Sequence, residues 1–105
     1  MLNQVSRSGL QSVAQDDSIA IGCDPNAVTH DITLKAGTAT AGTLTVTATP
    51  SDVGASEPVY YNASPLTQDL STITQRTYRI EGTFDSINIA CAGSNGTYKY
   101  SYRGS

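Results

Sequence analysis

The sequence predicts an all-β protein, an antiparallel β-sandwich of about eight strands connected as a jelly roll or in an immunoglobulin-like manner. Three observations carry this. Thr, Ser, Ala and Gly are frequent and charged residues make up 14% of the chain, which suits neither a disordered tail nor a helix-rich protein. Short runs of Val, Ile, Thr and Tyr are separated by Gly, Pro, Asn, Asp and Ser clusters at intervals of roughly 8 to 12 residues. Within the runs, apolar residues recur at period two, as in a strand with one buried face.

The elements follow in chain order. Residues 1–15, MLNQVSRSGLQSVAQ, hold neither the helical nor the strand period and read as an extended arm. Residues 16–105 form the sandwich domain, and with 105 residues in the chain one core is expected. Ile19, Ile21 and Cys23 share one face of the first strand. Asp24-Pro25-Asn26 turns the chain, and Ile32 and Leu34 share a face of the next strand. The clearest pattern is Gly42 to Pro50, where Leu44, Val46 and Ala48 oppose Thr43, Thr45, Thr47 and Thr49. Val59 to Tyr61, Leu66 to Leu70, Thr77 to Ile80, Asp85 to Cys91 and Thr97 to Arg103 supply the remaining strands. Between the last two, Gly93-Ser94-Asn95-Gly96 reads as a tight hairpin, because Asn-Gly tolerates positive φ at both central positions. Ile80, Ile87 and Ile89 complete the expected core.

Charge and hydropathy narrow the partners. A net charge of -3 with six scattered basic residues gives no electrostatic footprint for nucleic acid or for an anionic membrane. No run approaches the roughly 18 apolar residues of a membrane helix, and Met1 to Gln15 has no apolar core of a signal peptide. The chain is therefore expected to stay where it is made.

No catalytic residues, cofactor or metal are expected. A Ser-His-Asp triad would have to use His30, the single histidine, which falls in phase with the buried-face residues Ile32 and Leu34 and so reads as structural. One His and two distant Cys match no zinc spacing. Asp16, Asp17, Asp24 and Asp31 lie near turns but show no calcium-loop pattern. Glu57 and Glu81 are the only glutamates, a weak basis for a glycosidase pair. Phosphate-loop and dinucleotide fingerprints are absent. Cys23 and Cys91 are each in phase with two isoleucines. Both thiols should face the core, free or, if their strands are neighbours, joined in a disulfide. Tyr98, Tyr100 and Tyr102 share one face of the C-terminal strand, as the wall of a core or as the anchors of an interface or sugar platform.

The stretches AGTLTVTATPSDVGASEPVY (Ala41 to Tyr60), TYRIEGTFDSINI (Thr77 to Ile89) and GTYKYSYRG (Gly96 to Gly104) resemble small β-sandwich proteins encoded among the head and tail genes of tailed bacteriophages. Several of these end in a similar Gly-Thr-Tyr strand and a Tyr-Arg-Gly close. The resemblance spans roughly Asp17 to Gly104 and brings no catalytic residues. It implies a virion component of the capsid, neck, tail or fibre, assembled in the host cytoplasm as a homo-oligomer in contact with other virion proteins. Partners would be met through edges, loops and the arm, where Leu2, Val5, Leu10 and Val13 are the candidate contacts. A carbohydrate-binding or adhesin-like module, recognising surface carbohydrate, is the alternative.

Overall fold

The computed structural model describes residues 5–6, 10–51, 55–61 and 63–105. Among the described residues twelve strand segments are present: β1 (Val5–Ser6), β2 (Gln11–Val13), β3 (Ile19–Gly22), β4 (Thr29–Ala36), β5 (Thr43–Pro50), β6 (Glu57–Pro58), β7 (Tyr60–Tyr61), β8 (Ser64–Pro65), β9 (Thr67–Asp69), β10 (Gln75–Glu81), β11 (Phe84–Ala92) and β12 (Tyr98–Gly104). They form two antiparallel sheets and a small β7–β8 ribbon.

In the first sheet, β12 and β10 flank β4, and β1 and β2 lie end to end along the far side of β12. In the second sheet, β3 and β5 flank β11, and β6 and β9 share the outer side of β5. The orders β2-β12-β4-β10 and β3-β11-β5-β9 are those of a jelly roll, in which the chain crosses between the sheets at each step except from β5 to β9. The topology thus decides between the two connections that the strand pattern left open.

Period two explains the core. Ile21, Ile32, Leu34, Leu44, Val46, Ala48, Ile80, Ile87 and Ile89 are buried between the sheets, and Ile19 packs against them half-buried. The pattern continues where the residue types hide it: His30 and Gln68 are fully buried because they share a face with Ile32 and with Leu66 and Leu70. Gln68 donates from Nε2 to the carbonyls of Leu34 and Ile73, both at 3.1 Å. One buried amide thus ties strand β4 to the loop after β9 inside the core.

One turn differs from its sequence reading. Gly93 to Gly96 is not a hairpin, because β11 and β12 belong to different sheets; positive φ occurs at Gly93 (70°) and at neither Asn95 nor Gly96. The Asn95 side chain is used elsewhere. Its Oδ1 accepts the backbone N–H of Thr40 (2.8 Å) and Ala41 (3.2 Å), and its Nδ2 donates to Thr40 Oγ1 (2.8 Å). Gly96 lets the two loops approach, since a Cβ there would meet Ala39 N at 2.8 Å. Tertiary pairing of loops has replaced local turn chemistry.

Replacing Asn95 by Ala removes all three bonds while leaving the strands intact. The expected loss is about 1–2 kcal/mol, read as a fall in the thermal midpoint of several degrees with an unchanged β-type circular dichroism spectrum. An unchanged midpoint would show that the loops dock without Asn95.

Candidate interaction site

The outer edge of β10 is set by hydrogen-bond phase. Ser105 and Thr29 exchange both backbone bonds, at 3.0 and 2.9 Å, so odd-numbered residues of β4 bond to β12 and even-numbered ones to β10. Even residues of β4 face even residues of β10, and Gly82 N–H to Val28 C=O at 2.9 Å continues the same phase. The N–H and C=O groups of Gln75, Thr77, Arg79 and Glu81 therefore point away from β4. Among the described residues no strand pairs with them. The side chains of the same residues are exposed, and Arg79 is tied across the sheet to Asp31, with Nε to Oδ1 at 3.0 Å.

At the C-terminal half of this edge the two sheets part and leave a cleft of about 210 Å³. Ala48, Val59, Ile80 and Phe84 line it together with Glu57, Tyr60, Arg79 and Glu81. Val59 and Ile80 are buried, whereas Tyr60 is 65% exposed. Glu57 and Glu81, which nothing in their spacing connects, are thus brought to one opening.

The two outer faces differ in charge. All the cations among the described residues lie on β4, β10 and β12: Lys35, Arg79, Lys99 and Arg103 on the outer face, and Arg76 in phase with the buried Tyr78 and Ile80. Lys35 and Lys99 are directly opposite each other. The second sheet carries no cation; Thr43, Thr45, Thr47 and Thr49 on β5 lie opposite Ala92, Ala90, Asn88 and Ser86 on β11, a flat surface of small side chains.

Beneath the first sheet lies a buried polar network. His30 Nε2 is 2.9 Å from the Gly82 carbonyl, which can only accept, so this nitrogen carries a proton. Nδ1 then accepts from the Tyr102 hydroxyl at 2.6 Å. The ring is packed between Tyr102 and Phe84, with centroids 5.8 and 5.4 Å away. These are the contacts of a structural histidine, with the carboxylate of no triad among them. Asp16 instead accepts Ser94 N–H at 2.8 Å, and Asp24 accepts Asn26 N–H at 2.9 Å. Among the described residues no group of three His, Cys, Asp or Glu side chains gathers.

The tyrosine row takes the core alternative. Tyr98 and Tyr102 are buried and Tyr100 is half-buried, so Tyr98 and Tyr102 are not interface anchors. Tyr98 donates to the Asp17 carbonyl at 2.9 Å. Val13 is likewise core, paired with Tyr98. Leu10 is exposed, Val5 is paired through its backbone with Gly104, and Leu2 lies outside the described residues. Residues 11–13 of the arm thus add to this chain's own sheet.

The thiols are free and separate. Cys91 is buried, but Cys23, expected in the core, is half-buried because it sits just beyond the end of β3. Its N–H bonds to Asp85, six positions along β11 from Cys91, which is about 20 Å of strand, beyond the reach of a disulfide. Burial pushes the Cys23 thiol up, the Tyr102 hydroxyl pulls it down, and the Asp85 carboxylate adds to the rise.

No family model and no curated protein matches the chain. Among solved structures, the SPBc2 prophage-derived protein YomS superposes with a TM-score of 0.56 and 4% identity, over 99% of this chain and 96% of its own. A chain of the Bacillus endospore appendages, which form disulfide-linked pili, aligns with a TM-score of 0.48 and 15% identity, over 97% of this chain and 88% of its own. At 4% identity the likeness to YomS is one of fold.

Two outcomes test the network. Tyr102→Phe leaves His30 Nδ1 without a donor and should cost about 1–3 kcal/mol, seen as a lower denaturant midpoint with an unchanged slope. Burial raises the Tyr98 phenol to about 12 and the Tyr102 phenol further. A phenol whose folded value exceeds its unfolded value of 10.0 favours the folded state fully below that value. Its contribution is lost as pH rises toward about 12. Alkaline unfolding should therefore coincide with the last part of the tyrosinate absorbance rise, and a complete rise before any loss of circular dichroism would contradict the burial.

Proposed function

We propose that this chain is a non-enzymatic structural subunit of a bacteriophage particle, assembled in the host cytoplasm, that joins copies of itself and other virion proteins by strand addition. The observation that carries this reading is the outer edge of β10. Four residues in a row of odd positions offer paired donors and acceptors with no proline or bulge to blunt them, and such an edge is a template for a further strand. The outer face of the second sheet, small side chains on β5 and β11 with no cation, supplies a surface on which a neighbour can lie. The jelly-roll fold shared with a prophage-derived protein supports the phage setting, as does the resemblance of Ala41 to Tyr60, Thr77 to Ile89 and Gly96 to Gly104 to phage head and tail proteins.

Thr77→Pro tests the edge directly. Its N–H points outward, so the ladder with β4 keeps its bonds; the edge donor is lost, together with the exposed hydroxyl contact of Thr77 with Thr33 at 2.7 Å. Multi-angle light scattering of the wild-type protein should give a multimer, and the variant should remain folded but lose most of that mass. A wild-type monomer at all concentrations, or a variant with unchanged mass and incorporation into particles, would overturn the reading.

A further inference from the structure

We propose that the cleft between β10 and the Glu57–Tyr60 segment is a recognition pocket for the lysine or arginine side chain of a protein partner. The pocket lies on the edge used in the proposed assembly, so as a partner-selecting device it rests on that reading, but its chemistry can be tested without it.

The lining divides by polarity. Ala48, Val59, Ile80 and the Phe84 ring form the apolar part, Glu57 and Glu81 contribute carboxylates, and the exposed Tyr60 adds an aromatic ring. Such a lining fits a side chain with an alkyl stem and a cationic head. The stem would cover apolar surface, the head would meet the carboxylates, and an aromatic face attracts a cation further.

The charge balance favours the same occupant. Arg79 is the cleft's own cation, yet its Nε and Nη2 are engaged by Asp31 at 3.0 and 3.5 Å. Among the described residues this is the one ion pair, so neither Glu57 nor Glu81 is held in a salt bridge, although Arg79 feels the Glu81 charge at longer range. Ionised carboxylates are acceptors only, which disfavours anions and matches the donor-only head of lysine or arginine. The volume of about 210 Å³ falls below the roughly 300–1,000 Å³ of pockets that take drug-sized ligands and suits a single long side chain.

The experiment uses n-butylguanidinium chloride as an arginine side-chain mimic, titrated into isotopically labelled protein and followed by amide chemical shifts. Methyl glucoside and n-butanol at equal concentrations are the neutral comparators. Saturable shifts centred on Val59, Tyr60, Ile80, Glu81 and Phe84 are expected for the guanidinium alone. Binding should weaken about tenfold in a Glu57→Gln, Glu81→Gln double variant, in keeping with the loss of two partly exposed charge contacts. No saturable response, or an unchanged affinity in the double variant, would overturn the proposal. A response to methyl glucoside without one to guanidinium would assign the cleft to carbohydrate instead. The two readings fail separately: a Thr77→Pro protein of undiminished mass that still binds guanidinium removes strand addition and keeps the pocket.

Discussion

The fold depends on the buried contact between His30 and Tyr102. It joins β4 to the neighbouring β12, and through the Gly82 carbonyl it reaches the connection that carries the chain from β10 in one sheet to β11 in the other. A histidine here is costly unless both nitrogens are satisfied, and both are. Gly82 takes a φ of 142°, and a Cβ on it would meet the Phe84 ring at 2.8 Å. The turn can thus present its carbonyl to His30 while Phe84 closes over the imidazole. Phe84 also lines the cleft, so the polar network inside the sandwich shapes the recognition surface outside it.

Much of the fold was legible because a strand with one wet face writes its geometry into alternate residues. Leu44, Val46 and Ala48 against four threonines admit one reading, and seven of the eight strands expected from such runs lie in the two sheets; Val59 to Tyr61 supplies only β7 of the small ribbon, and β2, from the expected arm, takes the eighth place. The alternation holds even through His30 and the tyrosines. Gln68 escaped because its type argues for the surface, although its place midway between Leu66 and Leu70 was the available signal. Gly93 to Gly96 was misread because a dipeptide states what the backbone tolerates, whereas Asn95 is committed to Thr40 and Ala41, more than fifty residues earlier. Cys23 shares the phase of Ile19 and Ile21 but is half-buried and not core, because phase says nothing of where a strand ends.

The interaction site was less legible. Glu57 and Glu81 meet because the outer margin of one sheet passes the outer margin of the other, a consequence of topology and not of spacing. The direction of the β10 amides follows from which residues exchange bonds across β4, and no residue type announces it. What the sequence did carry was the expectation of edges as contact surfaces, and β10, without proline in its seven residues, is the strand that fits it. Pro58 and Pro65 lie on the short segments β6 and β8, where the lack of an N–H limits further pairing.

The position of β12 sets the order in which the molecule can be made. It is the last strand of the jelly roll, yet it lies inside its sheet, between β4 and the segments β1 and β2. Its tyrosines fill the core that β2 and β4 have to share. While β12 is still within the ribosome, β4 has no partner on that side, His30 has no hydroxyl to meet and the arm has no strand to lie against. Folding of the first sheet therefore waits until β12 has emerged. The nascent chain holds one side of β4 open until β12 emerges, a period in which early pairing with neighbouring copies competes with completion of the subunit.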